Sequence, residues 1–225
     1  MEKNNLEHIN FDTLEAFEKK AAQTIINLAN QCINLNNHFS IVLCGGNTPR
    51  SIFKRLKSLE TDWSKWNVYF GDERCLPDGD PNRNSQMAKE SWLNHVSIPQ
   101  EQIFYIRGEL GRELAADEYN QLFDEKSFFD LVLLGFGEDG HVASLFPGHQ
   151  WDEQRNAIPV TNSPKPPMDR VSLTPRRLSM TNHLIFLVTG KNKIDAFNRW
   201  QNNKDLPASL VCAKESIKIL SFDLV

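Results

Sequence analysis

The sequence predicts an α/β fold, a mostly parallel sheet covered by helices on both faces. Three observations carry that expectation. Short apolar runs recur along the chain, and most end in glycine or charge. Between them lie segments whose apolar residues return every three or four positions, the spacing of one helical face. Strands alternating with such helices make βαβ units, and these build parallel sheets with both faces covered.

The elements follow in order. Leu14, Phe17, Ala21, Ile25, Leu28 and Cys32 mark an amphipathic helix over residues 14–32. "FSIVLCGG" (39–46) reads as a buried strand ending in glycines. "TPRSIFKRLKSL" (48–59) is the next helix, with Thr48 placed to cap and Pro49 in the first turn. "WNVYFG" (66–71) is a strand, "NSQMAKESWLN" (84–94) a helix and "QIFYI" (102–106) a strand. "RELAADEYNQLFDEK" (112–126) is a helix and "FDLVLLG" (129–135) a strand. The stretch Trp151–Pro167 is rich in proline and reads as a long irregular surface loop. "HLIFLVTG" (183–190) is a strand, "KNKIDAFNRW" (191–200) a helix, and "IKILSFDLV" (217–225) a closing strand. With no linker and no internal repeat, residues 1–225 are expected to form a single domain.

The net charge of −4 gives no basic field, so nucleic acid is not an expected partner. No apolar run approaches the ~18 residues of a membrane span, and "MEKNNLEHIN" does not have the pattern of a signal peptide. Four cysteines without a CxxC suit a reduced, cytoplasmic protein. Cys32 and Cys44 read as core, while Cys75 sits beside charged residues and reads as partly exposed. The oligomeric state is left open.

Ligands of open α/β sheets bind beyond the carboxyl ends of the strands, and the polar motifs of this chain fall there. Gly135, Gly137 and Gly140 match GxGxxG after a strand, the fingerprint of a dinucleotide site. Pro147 and Gly148 interrupt the long helix that the fingerprint should open, and no suitable acid follows, so a dinucleotide is disfavoured. His141 in the same turn is either a hydrogen-bonded loop histidine or a general base. Asp139 would orient it or contact substrate hydroxyls. Ser144 lies nearby, but a serine nucleophile lacks its GxSxG elbow. "GDER" is either a surface turn of weak salt bridges, or a site where Asp72 accepts from sugar hydroxyls and Arg74 holds an anion. "CGGNTP" is either a tight turn or a phosphate cradle, since helix N-termini bind phosphate and glycines allow close approach. Lys191 and Lys193 stand at another strand-to-helix junction. His141 and His149 are eight apart, with no metal-ligand spacing around them.

Together, "CGGNTP", "WNVYFGDERCLPDGDPNRNSQMA", "FDLVLLGFGEDGHVASLFPG", "SPKPPMDRVSLT" and "GKNK" resemble the 6-phosphogluconolactonase family over most of the chain. The resemblance implies a Rossmann-like sheet and a cytoplasmic enzyme of the pentose phosphate pathway. It would hydrolyse 6-phospho-D-glucono-1,5-lactone with no cofactor. Carried over, His141 is the base that activates water, and Asp72 and Arg74 position the substrate. Gly45, Gly46, Asn47 and Thr48 cradle the phosphate, Arg170 and Lys193 supply charge, and Asp139 and Gly140 contact substrate. Asn47 stands where the family often has serine. Glucosamine-6-phosphate deaminases share the fold and a similar DGH turn, but continue into a "FNEP"-like segment where this chain reads "ASLFPG". A non-catalytic sugar-phosphate sensor is the alternative from another class; it would need the cradle and not the histidine.

Overall fold

The computed structural model describes residues 5–124, 126–202 and 205–224. The chain opens with β1 (Asn5–Phe11), an element that its apolar pattern does not announce. In α1 (Leu14–Asn36), Thr13 caps the start, its Oγ1 accepting from Ala16 N at 3.2 Å. Phe17, Ala21, Ile25 and Cys32 are buried as their spacing predicts, whereas Leu14 is exposed, Leu28 is only partly buried, and Ala29 joins the inner face. The helix runs one turn past Cys32 and stops where Asn37 adopts φ 61°.

β2 (Phe39–Leu43) is buried at every position, so both faces of the sheet are covered there. Then come α2 (Asn47–Leu56), β3 (Trp66–Phe70), β4 (Asp72–Arg74) and α3 (Asn84–Ser91). β5 (Ile103–Phe104) is only two residues long, and α4 (Arg112–Asn120) ends earlier than its pattern suggests. Glu125, within the expected helix, and Val225, within the expected last strand, lie outside the described residues. The remainder is β6 (Phe129–Gly135), β7 (Ala157–Val160), β8 (Arg170–Leu173), α5 (Pro175–Ser179), β9 (Thr181–Thr189), α6 (Ile194–Asn202) and β10 (Ser216–Phe222).

Among the described residues, seven strands form one parallel sheet in the order β1-β10-β9-β6-β2-β3-β5. This is the mostly parallel α/β architecture expected from the sequence. Two segments differ from the elements read in the sequence. "GDER" is not a surface turn: Gly71 ends the run along the large sheet, and Asp72–Arg74 pair antiparallel with β8. Trp151–Pro167 is not irregular throughout, because Ala157–Val160 forms β7 beside β8. The resulting small sheet, β4-β8-β7, has no counterpart in the predicted elements.

One side chain holds the junction between the two sheets. β5 pairs only with Val68 and Tyr69, which leaves Phe70 beyond its end. The buried Tyr119 hydroxyl takes that place, accepting from Phe70 N at 2.9 Å and donating to Phe70 O at 3.1 Å. Removing a partner from a buried polar group costs about 1–3 kcal/mol. Tyr119→Phe removes one partner from two backbone groups, so urea unfolding should show a loss of about 2–4 kcal/mol. A loss below about 0.5 kcal/mol, the range of ordinary surface changes, would mean that water or a shift of β5 replaces the hydroxyl.

Candidate active site

β2 lies inside the large sheet, with β3 and β5 to one side and β6, β9, β10 and β1 to the other. The loops that leave β2 and β6 therefore diverge, and the crevice between them is the topological switch point where such sheets bind ligands. A cavity of about 270 Å³ opens there. All four polar strand ends singled out in the sequence contribute to its wall.

The β2–α2 turn forms one side. Gly46, at φ 110°, is the N-cap of α2, and no side chain caps the helix. Thr48 is thus inside the helix and not its cap. Its Oγ1 lies 2.6 Å from Thr189 Oγ1 and braces α2 against the end of β9. With no capping side chain, the first amides of α2 are left for an outside acceptor, and a helix start favours an anion. At Gly45 a Cβ would lie 1.9 Å from Asn84 Oδ1, so no side chain fits between the turn and α3.

β4 forms the floor. Asp72 is 5% exposed and Glu73 0%. Asp72 Oδ2 accepts from Ser144 Oγ at 2.6 Å, and Oδ1 accepts from Asn84 Nδ2 at 3.0 Å. Ser144 is therefore a buried strut and not a poised nucleophile. Glu73 accepts from the backbone amides of Asn84 and Ser85 at 2.7 and 2.8 Å. It caps α3 from a distance, because Arg83 at the N-cap position supplies no side-chain bond. Arg74 lines the cavity, its Nη1 donating to Asn82 O at 2.5 Å.

The turn after β6 carries His141, whose side chain is 26% exposed. Its Nδ1 lies 2.5 Å from Asp139 Oδ1, and its backbone N donates to the same oxygen at 3.1 Å. Burial opposes ionisation of Asp139, but the bonds and charge of His141 outweigh it and hold the carboxyl down at about 2. With Nδ1–H donating to the Asp139 carboxylate, Nε2 is left as a proton acceptor; this tautomer is assigned from the hydrogen bond. Asp139 stands behind the imidazole, and neither it nor Gly140 lines the cavity. Gly140 turns the chain at φ 84° against Leu206. The Phe146 ring packs on the imidazole at 4.8 Å.

Cations complete the wall. Arg170 stands directly across from Arg74 in the β4–β8 ladder. Burial lowers the Arg170 pKa; Asp72 opposes the shift and Arg74 adds to it. Burial likewise lowers the Lys193 pKa. Lys191 does not line the cavity, whereas Lys165 and Asn84 do. Sequence reading missed both: a lysine among prolines resembles a solvated group, and Asn84 resembles an ordinary helix start. Cys44 is buried beneath the cradle as expected, and burial with nearby Asp72 pushes its thiol up to about 12, so it stays protonated. Among the described residues, no cluster of three or more His, Cys, Asp or Glu is arranged to hold a metal ion.

A Rossmann-like sheet with an anion-favouring cavity at its switch point defines a class suited to phosphorylated small molecules. The chain belongs to the family described as glucosamine-6-phosphate isomerases/6-phosphogluconolactonase, whose model matches residues 12–220. It is 29% identical to a 6-phosphogluconolactonase of Haemophilus influenzae, over 94% of each chain. It is 36% identical to one of Mycobacterium bovis, over 69% of this chain and 70% of that protein. The crystal structure of a 6-phosphogluconolactonase from Thermotoga maritima superposes with a TM-score of 0.89 at 25% identity, covering 97% of this chain and all of that one.

Gly137 tests the histidine's placement. A Cβ there would lie 2.1 Å from His141 Nδ1 and 2.7 Å from Asp139 Oδ1. Gly137→Ala must displace the imidazole, and misplacement of about 1 Å costs on the order of 10² in rate. The variant should keep its fold by circular dichroism and lose about that much kcat. Unchanged turnover would show that the imidazole position is not critical.

Proposed function

We propose that the protein hydrolyses 6-phospho-D-glucono-1,5-lactone to 6-phospho-D-gluconate, with His141 as general base. The observation that carries this reading is an imidazole oriented by Asp139 at a cavity that also holds Arg74, Arg170 and Lys193. An anion site needs the cations alone; hydrolysis also needs a base, and His141 Nε2 supplies it. The family and the two 6-phosphogluconolactonase relatives support the same substrate.

In the proposed reaction the phosphate rests on the Gly45–Thr48 turn, with Arg170 and Lys193 neutralising it. His141 Nε2 takes a proton from water as the water oxygen attacks the lactone carbonyl. The carbonyl π pair moves onto oxygen, and Arg74 stabilises the alkoxide. Collapse breaks the bond from C1 to the ring oxygen. His141 returns its proton to that oxygen, which becomes the 5-hydroxyl. Asp139 keeps the imidazole in the required tautomer and orientation, and Asp72 holds the surrounding loops. Lining residues as far apart in sequence as Cys44 and Lys193 reach one cavity, which supports treating the chain as one domain. Four free cysteines support a reducing, cytoplasmic setting.

The purified protein should open the lactone well above its spontaneous rate. Ammonia release from glucosamine 6-phosphate with the lactone untouched would favour the deaminase reading; binding without turnover of either would favour a sensor. His141→Ala should lower kcat by roughly 10²–10⁴ after the spontaneous rate is subtracted. Its KM should change little, because the phosphate contacts come from other loops. A folded variant with wild-type kcat removes His141 from the chemistry. Lys193→Ala should raise KM roughly tenfold, the size of one charge-assisted contact, and an unchanged KM would place the phosphate elsewhere. Asp139 is held at about 2 and stays ionised throughout the neutral range. Asp139 should therefore add no step of its own to the acid limb of kcat/KM in the neutral range, and an Asp139→Asn change that removed a step from that limb would contradict this.

A further inference from the structure

The rim of the cavity carries a contact that the proposed mechanism does not use. Lys165 Nζ lies 2.5 Å from Glu138 Oε1, and Asn192 Nδ2 donates to Glu138 Oε2 at 3.1 Å. These residues come from three different connections: the turn after β6, the loop before β8, and the turn after β9. All three line the mouth of the cavity. The lysine side chain is 62% exposed and the glutamate 44%. An ion pair that exposed contributes little to stability, so its placement is the informative part.

The backbone of Lys165 is pinned where its side chain is loose. Its carbonyl accepts from Arg170 Nη2 at 2.9 Å and from Ser163 Oγ at 3.0 Å. Arg170 is one of the buried cations of the anion site, so the lysine is anchored directly beside that site. From a fixed Cα, a four-carbon stem swings its ammonium freely. The ammonium is also within electrostatic reach of the cavity interior: Glu138 raises and Lys165 lowers the pKa of Lys193, beneath the larger effect of burial.

Among the described residues that line the cavity, Arg74, Lys165, Arg170 and Lys193 stand against two carboxylates, Asp72 and Glu138. Asp72 is occupied by Ser144 and Asn84. Glu138 is the one carboxylate of the pair at the rim, and it is matched to the most exposed cation. A phosphomonoester carries nearly two charges and three acceptor oxygens, against one charge on a carboxylate. It therefore competes well for a lysine that an exposed carboxylate holds only weakly.

We infer that Lys165 is a further substrate-binding residue, docked on the rim by Glu138 and Asn192 and transferred to the phosphorylated substrate when it enters. Glu138 then sets affinity by competing with the ligand for the same ammonium. On product departure the lysine returns to Glu138, which limits how tightly the phosphorylated product is retained. The inference rests on the sugar-phosphate reading of the cavity.

The test is a double-mutant cycle read by calorimetric titration with 6-phosphogluconate, on the wild type, Glu138→Gln, Lys165→Gln and the double variant. Glutamine keeps the shape of Glu138 and an acceptor for Asn192. Exchange predicts that Glu138→Gln tightens Kd about three- to tenfold and that Lys165→Gln weakens it roughly tenfold. It also predicts that Glu138→Gln has no effect once Lys165 is gone. Equal tightening in both backgrounds would mean that Glu138 acts only by repelling the ligand. Weakening by both single changes would make the pair a structural strap, and no effect from either would make it a solvated surface contact; each of these overturns the inference. Both residues are exposed, so thermal unfolding should be unchanged and folding cannot obscure the result. If the wild type neither binds 6-phosphogluconate nor opens the lactone, the sugar-phosphate reading itself fails. If it does both and the cycle is additive, only the exchange fails.

Discussion

Two adjacent buried carboxylates on β4 hold the site together. Asp72 and Glu73 are both buried, and a buried carboxylate is costly unless hydrogen bonds satisfy it. Here the donors come from the connections that must be brought together. Asp72 takes Ser144 from the histidine loop and Asn84 from the start of α3. Glu73 takes the first amides of α3 and lies 3.5 Å from the buried Arg83 Nε. Loops are ordinarily the mobile part of an α/β protein. These loops are tied through side chains whose loss would leave charge buried and unpaired. The placement of the His141 loop therefore depends on this pair of buried acids.

The same constraint explains how the cavity tolerates its positive charge. Like charges directly opposite in an antiparallel ladder destabilise it, and Arg74 faces Arg170 across β4 and β8. Asp72, two residues along the strand, offsets part of that repulsion, as its opposing effect on the Arg170 pKa shows. Backbone carbonyls take part of the rest: Pro167 and Lys165 accept from Arg170, and Asn82 accepts from Arg74. Arg74 Nε is buried and has no hydrogen-bond partner among the described residues. A polypeptide selected for stability alone gains nothing by opposing two arginines. An anion placed between the cradle and the small sheet relieves the repulsion, and this is why the arrangement reads as a binding site.

The large sheet was legible because its strands are buried on both faces and so read as apolar runs, as in "FSIVL" and "FDLVLLG". What was hidden lacks that signature. β1, "NLEHINF", is an edge strand whose polar and apolar residues alternate too loosely to stand out. β4 is three charged residues long, and its strand character comes from β8, nearly a hundred residues away. β7 contains a proline and lies inside a proline-rich segment. At the site, histidine and glycine motifs were visible because packing alone does not require them. Lys165 and Asn84 were not, since their significance depends on partners that only the fold brings near. Thr48 shows the converse. Its residue type suits a cap, but the backbone places Gly46 there, and the hydroxyl reaches across to Thr189 instead.

The three glycines after β6 show how one local pattern can serve different chemistry. In a dinucleotide site, the glycine spacing lets a pyrophosphate approach the backbone at the start of a helix. In this turn the space over Gly137 is already filled by the chain's own imidazole, which would lie 2.1 Å from any Cβ. Gly140 takes up the positive φ that returns the chain, so that His141 O accepts from Gly137 N at 2.9 Å. The turn closes on itself, with Gly140 N donating to Gly137 O at 3.0 Å, and among the described residues no helix follows it before β7. What the glycines admit is a side chain from four residues on, close enough for Asp139 to hold it. The spacing that suggests a nucleotide fingerprint is met by the requirement to seat a histidine at the end of a buried strand.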